Sequence, residues 1–129
     1  MSTDIAKIFH ETGKAHAFSA VFLHKSSLEY ADASDEIPNR DDFAFNGIFS
    51  LSVFSLVGLG LELLLKSAIL LHDPAVTLRF LKSKIGHDLV AALDAAEQRG
   101  FNSQAPNLRS IVEVISPPYA QYYFRYERP

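Results

Sequence analysis

The chain has 129 residues, of which 48% are apolar, and this is the size and composition of one globular domain over residues 1–129. It contains no cysteine, which excludes disulfides, thiolate metal sites and thiol catalysis, and which fits the reducing cytoplasm where we expect the protein. Its net charge of −3 argues against a general nucleic-acid binder but allows a local basic patch.

The first predicted helix covers Asp4–Tyr30. Its larger apolar side chains recur at steps of three and four residues, which predicts a single apolar stripe facing the core. The residues of this stripe are Ile5, Ile8, Phe9, Ala15, Phe18 and Phe22. The acidic segment Ala31–Arg40 then reads as a loop that lets the chain fold back, with Asn39 as the cap of the next helix.

The segment Asp41–His72 is predicted to form one continuous helix, with no proline before Pro74. Apolar residues cover most of its circumference, so we expect other helices to surround it. Glu62 and Lys66 stand four residues apart in this apolar setting, and we expect them to be at least partly buried and hydrogen-bonded to each other. Phe43–Leu61 carries no charge and is long enough to cross a membrane, but its serines and glycines and the adjoining charges favour a core helix.

A short helix is predicted over Pro74–Ile85, capped by Asp73 and ended by Gly86. It contains the most basic window of the chain, formed by Arg79, Lys82 and Lys84.

His87 and Asp88 are predicted to open the next helix, which ends at Gly100 with Phe101 in the apolar contact of a glycine C-cap. The plain structural interpretation of His87 is a ring that tethers a neighbouring loop or a backbone carbonyl.

A helix predicted over Pro106–Ile115 is interrupted by Ser116-Pro117-Pro118, and Ser116 followed by Pro117 is also a possible start of a final helix. A tyrosine stripe follows at helical spacing, and such a stripe is more typical of core or interface packing than of a platform for stacking bases. The stripe consists of Tyr119, Tyr122, Tyr123 and Tyr126.

Two motifs begin but are not completed. His10-Glu11 starts a zinc-protease motif but has Lys14 where the second histidine is required, and the glycine-rich start at Gly58 has Leu63 where a dinucleotide loop needs glycine. We therefore predict no metal site and no cofactor.

Three fragments, GLELLLKSAILLHD, GHDLVAALDAAEQRG and YYFRYERP, follow in order between Leu59 and Pro129. Together they resemble the HEPN superfamily of helical-bundle proteins. The resemblance implies an all-α, up-and-down bundle of four to five helices built on a long antiparallel hairpin, commonly as a dimer. Many members of this superfamily cut RNA without a metal, and others bind RNA, nucleotides or proteins.

The RNA-cutting members carry an arginine followed, after four to six residues, by a histidine that moves protons while the arginine stabilises phosphate charge. Here the nearest match is Arg79 and His87, with seven residues between them, and Arg125 is followed by no histidine. The sequence therefore favours a non-catalytic module over a metal-independent endoribonuclease that would use His87 with Arg79 or Arg125.

The candidate binding residues are the basic pair, the helix start and the late tyrosines, namely Lys82, Lys84, Asp88, Tyr122 and Tyr126. The expected ligand is RNA or a nucleotide, and a separate nucleotidyltransferase chain is a further candidate partner, since some HEPN proteins accompany one. We also predict a homodimer that buries more than about 1,000 Å² and uses one face of the long hairpin, because two long apolar helices have few others to cover them.

Overall fold

The computed structural model of the chain describes residues 2–47 and 49–127, and the side chains of residues 4–47 and 49–121. The described part holds six helices and no strand, which confirms the all-α helical bundle. The helices are α1 (Ser2–Ala33), α2 (Arg40–Asn46), α3 (Ser50–His72), α4 (Leu78–Phe80), α5 (Leu89–Gln98) and α6 (Leu108–Glu127), with a π-helical turn at Leu81–Ile85 directly after α4. Since α2 and α4 are short, the bundle consists in the main of four helices.

Helices α1 and α3 form the antiparallel hairpin. Gly13 of α1 lies against Gly60 of α3, whereas Tyr30 near the end of α1 contacts Phe49 at the start of α3. A methyl group on either glycine would lie 3.0 Å from the backbone oxygen of the other. The two backbones therefore touch at this level, and side chains larger than hydrogen would push the helices apart.

The predicted core face of α1 is confirmed only at its start, where Ile5 and Phe9 are partly buried and pack against the core. The buried residues of α1 are small, namely Ala6, Gly13, Ala20, Ser27 and Ala31. Ile8, Phe18 and Phe22, predicted to face the core, are instead 61%, 70% and 75% exposed. Small side chains occupy the narrow contact with α3 because large ones do not fit there, and Phe18 and Phe22 are exposed on the other side of the helix.

The predicted continuous helix over Asp41–His72 is wrong at Gly47, where α2 ends and the chain turns into α3. The Gly47 N–H donates to the Phe43 carbonyl at 2.7 Å, and a methyl group on Gly47 would lie 2.3 Å from that oxygen. Ser50 then donates its hydroxyl to the Gly47 carbonyl at 2.7 Å, within the first turn of α3. The predicted cap holds, since the Asn39 side chain accepts from the Asp42 N–H at 3.0 Å.

Asp73 does not cap a helix at Pro74, contrary to the prediction. Its carboxylate accepts from the Ala75 N–H and from Arg99, and α4 begins only after Thr77, whose hydroxyl accepts from the Phe80 N–H. The predicted glycine cap of α5 is confirmed. The N–H of Gly100 donates to Glu97 and that of Phe101 to Ala96, both at 3.0 Å.

The predicted interruption at Pro117-Pro118 is also wrong, because α6 runs through both prolines. Each proline lacks the N–H that would reach the carbonyl four residues earlier, which typically costs about 3 kcal/mol in a helix interior. Val112 and Tyr119 lie on either side of this defect, seven residues apart on the same helix face, and both are buried. Their burial favours a continuous helix over a break.

Helix α3 is, among the described helices, the one long and apolar enough to cross a membrane, with a mean hydropathy of 1.9 in its most apolar window. Half of that window is buried inside the bundle, a property that the core helix of a folded domain shares.

Candidate functional site

Glu62 is the centre of a buried polar network. It lies on the inward face of α3 and is only 5% exposed. Its Oε2 accepts from Lys66 Nζ at 3.0 Å, as the sequence predicted, while its Oε1 lies 2.7 Å from His87 Nδ1 and accepts from the Tyr119 hydroxyl at 2.8 Å. One carboxylate thus joins α3, the start of α5 and α6.

The chain geometry before α5 places His87 at this carboxylate. The π-helical turn ends at Gly86, whose N–H donates to the Leu81 carbonyl at 2.9 Å and whose φ of +57° lies in the region that favours glycine. The backbone turns sharply there, and the His87 ring enters beside Glu62 with its edge toward Tyr119. His87 therefore tethers its segment to a core carboxylate.

The start of α5 is capped by two side chains. Asp88 accepts from the Ala91 N–H at 3.0 Å, and the buried Ser116 hydroxyl of α6 accepts from the Leu89 N–H at 3.1 Å. Ser116 thus caps α5 from a neighbouring helix and does not start a helix of its own. The first turn of α5 is held rigidly on α6 next to His87.

A cleft of about 720 Å³ opens where the π-helical turn, the start of α5 and the middle of α6 meet. Its polar lining consists of Lys82, Ser83, His87, Asp88, Glu113 and Ser116. The side chain of His87 is 21% exposed, so its ring connects this cleft to the buried Glu62.

The predicted site residues separate into three groups. Lys82, His87 and Asp88 line the cleft, with Asp88 engaged as the helix cap. Arg79 and Lys84 are exposed and are not among the residues that line it. The side chains of Tyr122, Arg125 and Tyr126 lie outside the described residues.

Sequence reasoning missed the connections of Glu62 to His87 and Tyr119, and the role of Ser116. The signal for the first was present: a glutamate inside an apolar helix needs more partners than one lysine, since a carboxylate accepts up to four hydrogen bonds. Nothing in the sequence showed which residues those partners are, since they lie 25 and 57 positions away.

In the part of the chain that the structure describes, no three histidine or acidic side chains cluster so as to hold a metal ion. Comparisons of the chain with protein-family models, with curated proteins and with solved structures find no match.

Proposed function

We propose that the chain is a non-catalytic, HEPN-like binding module that takes a nucleotide-sized, phosphate-bearing ligand in the cleft beside His87. The observation that carries the proposal is the cleft itself, which has the size of small-ligand sites and is lined by both Lys82 and the anchored imidazole of His87. The resemblance to HEPN proteins supports a toxin–antitoxin or defence-type setting for such a module.

The charges of the cleft favour a ligand with few phosphates. Lys82 supplies the one permanent cation among its described lining residues, and the start of α5 adds the partial positive charge of a helix N-terminus. Asp88 and Glu113 carry negative charge at the same cleft. An extended RNA backbone would need several cations to replace its counterions, whereas a single phosphate group needs only one or two partners.

Two features support binding without catalysis. The Arg79 guanidinium, which would stabilise the phosphate charge during RNA cleavage, does not line the cleft. In addition, the His87 ring takes part in the same buried network as Lys66 and Tyr119, so it helps to stabilise the fold.

One observation favours the second candidate, a metal-independent endoribonuclease. The Glu62 carboxylate lies 2.7 Å from His87 Nδ1 and fixes the orientation of the ring, which is how a carboxylate prepares a histidine for proton transfer. The arginine that such a reaction requires would be Arg79 or Arg125.

A comparison of two neighbouring lysines tests the binding proposal. Titration of the protein into fluorescently labelled AMP, ADP and ATP should show binding that weakens about tenfold in Lys82→Ala, the loss expected for one charge-assisted phosphate contact. Lys84→Ala is the matched control, since it removes the same charge two residues away and outside the cleft. Its affinity should change by less than about twofold. Equal losses in the two variants, or no binding of any of the three nucleotides, would contradict the proposal.

A further inference from the structure

The outer face of α1 carries large apolar side chains that nothing in the described chain covers. Phe18 and Phe22 are 70% and 75% exposed, and they lie one helical turn apart, opposite the small residues that contact α3. An aromatic side chain buries about 150–250 Å² when it is fully covered. Two exposed phenylalanines on one face therefore form a large apolar surface that is in contact with solvent.

The charged residues on the same face are arranged symmetrically about Phe18. Glu11 and Lys25 lie seven residues before and after it, and Lys7 and Glu29 lie eleven residues before and after it. All four are exposed and fall on the helix face of Phe18, because seven and eleven residues are close to whole numbers of turns at 3.6 residues per turn. In each pair, the two residues have opposite charges.

We propose that this face of α1 is a self-association surface on which α1 of a second copy packs antiparallel, with the two-fold axis at Phe18. In that register every residue before Phe18 meets the residue equally far after it in the other copy. Glu11 then faces Lys25 of the second copy, and Lys7 faces Glu29. Each contact occurs twice, so the pairing is attractive at four positions and the two Phe18 rings meet at the centre.

The remaining positions on the Phe18 face of α1 fit the same register. Lys14 and Phe22 lie four residues on either side of Phe18, so the aliphatic stem of each Lys14 covers the Phe22 ring of the other copy. The outermost positions bring Asp4 opposite Asp32, and the charge of Asp32 is already offset within its own chain by Arg40 at 2.8 Å.

A second copy fits this surface because an antiparallel α1 presents the complementary charge order at Lys7, Glu11, Lys25 and Glu29. The charged pairs extend about 16 Å on either side of Phe18 at 1.5 Å per residue, which gives a contact roughly 30 Å long. Four phenylalanines, their flanking lysine stems and the ion pairs along this length are the scale of a standard interface, above about 1,000 Å². The inference does not depend on the proposed ligand.

Charge reversal tests the register. Sedimentation equilibrium of the full chain at tens of micromolar should show a dimer. Glu11→Lys alone and Lys25→Glu alone each place like charges opposite one another twice, and each should weaken the dimer about tenfold. The double variant restores opposite charges and should return to dimerisation within about twofold to threefold of the natural chain.

Mixing the two single variants gives a second, independent readout. In a mixed dimer both Glu11 positions and both Lys25 positions face opposite charges, so the two variants should associate with each other more tightly than either does with itself. Phe18→Glu should abolish the dimer, and Val114→Glu is its matched control, since Val114 is 74% exposed on α6. Thermal melting of each variant checks that the fold is retained.

A monomeric natural chain at these concentrations would overturn the proposal. So would a dimer that dissociates with Val114→Glu but not with Phe18→Glu, or single variants whose mixture associates no better than each one alone.

Discussion

Replacing Glu62 with alanine removes the carboxylate that joins three helical elements of the bundle. The variant loses the contacts to Lys66, His87 and Tyr119 at 3.0, 2.7 and 2.8 Å. The main loss comes from Lys66, whose side chain is 10% exposed and is left buried without the carboxylate that pairs with it. Removing one partner of a buried pair typically costs about 3–5 kcal/mol, against under about 1 kcal/mol for a surface pair.

We expect a loss of about 2–4 kcal/mol, slightly below the usual range, because the flexible lysine stem can carry its ammonium group part of the way toward water. Urea denaturation followed by circular dichroism measures this loss, which corresponds to a fall in Tm of about 10 °C for a domain of this size. Glu62→Gln keeps an acceptor for Tyr119 but also removes the negative charge that pairs with Lys66, so its loss should be of similar size. The exposed Glu36→Ala is the control, with an expected change below about 0.5 kcal/mol. A Glu62→Ala shift no larger than that of the control would refute the buried network.

Two further predictions concern the same region. Gly58→Ala places a methyl group 2.1 Å from the Tyr119 ring, and the hydrogen bond from the Tyr119 hydroxyl to Glu62 holds this ring in place. Urea denaturation should therefore show a loss of about 1–3 kcal/mol in the free energy of unfolding. A neutral result would mean that the ring moves freely. His87→Ala should lower Tm by several degrees, since it removes the tether of α5 to Glu62. In a separate assay, RNA incubated with the natural protein and EDTA should stay intact. RNA cleavage that disappears in His87→Ala at unchanged Tm would instead establish the nuclease.

The local features of the chain could be predicted from the sequence because each depends on residues close to one another in the chain. Asn39 as a helix cap, the glycine cap at Gly100 and the pairing of Glu62 with Lys66 each involve residues within five positions of one another. Short-range hydrogen bonds of this kind follow from residue type and spacing, so the sequence predicts them directly.

The errors share one physical origin, which is competition between local preference and packing. Local rules predicted a break at Pro117, yet α6 continues because Val112 and Tyr119 are buried on both sides of it. Periodicity alone predicted that Phe18 faces the core, yet the approach of Gly13 to Gly60 leaves room there only for small residues.

The sequence by itself determined the all-α class, the long hairpin and the presence of a polar group inside an apolar helix, because helix periodicity and capping are encoded locally. Only the tertiary structure decided which side of α1 is buried and which groups meet Glu62. Both depend on how closely two helix backbones approach and on contacts between residues far apart in the chain. It also showed that Lys82, and not Arg79, is among the residues that line the cleft, because a cleft forms only where segments far apart in the chain meet.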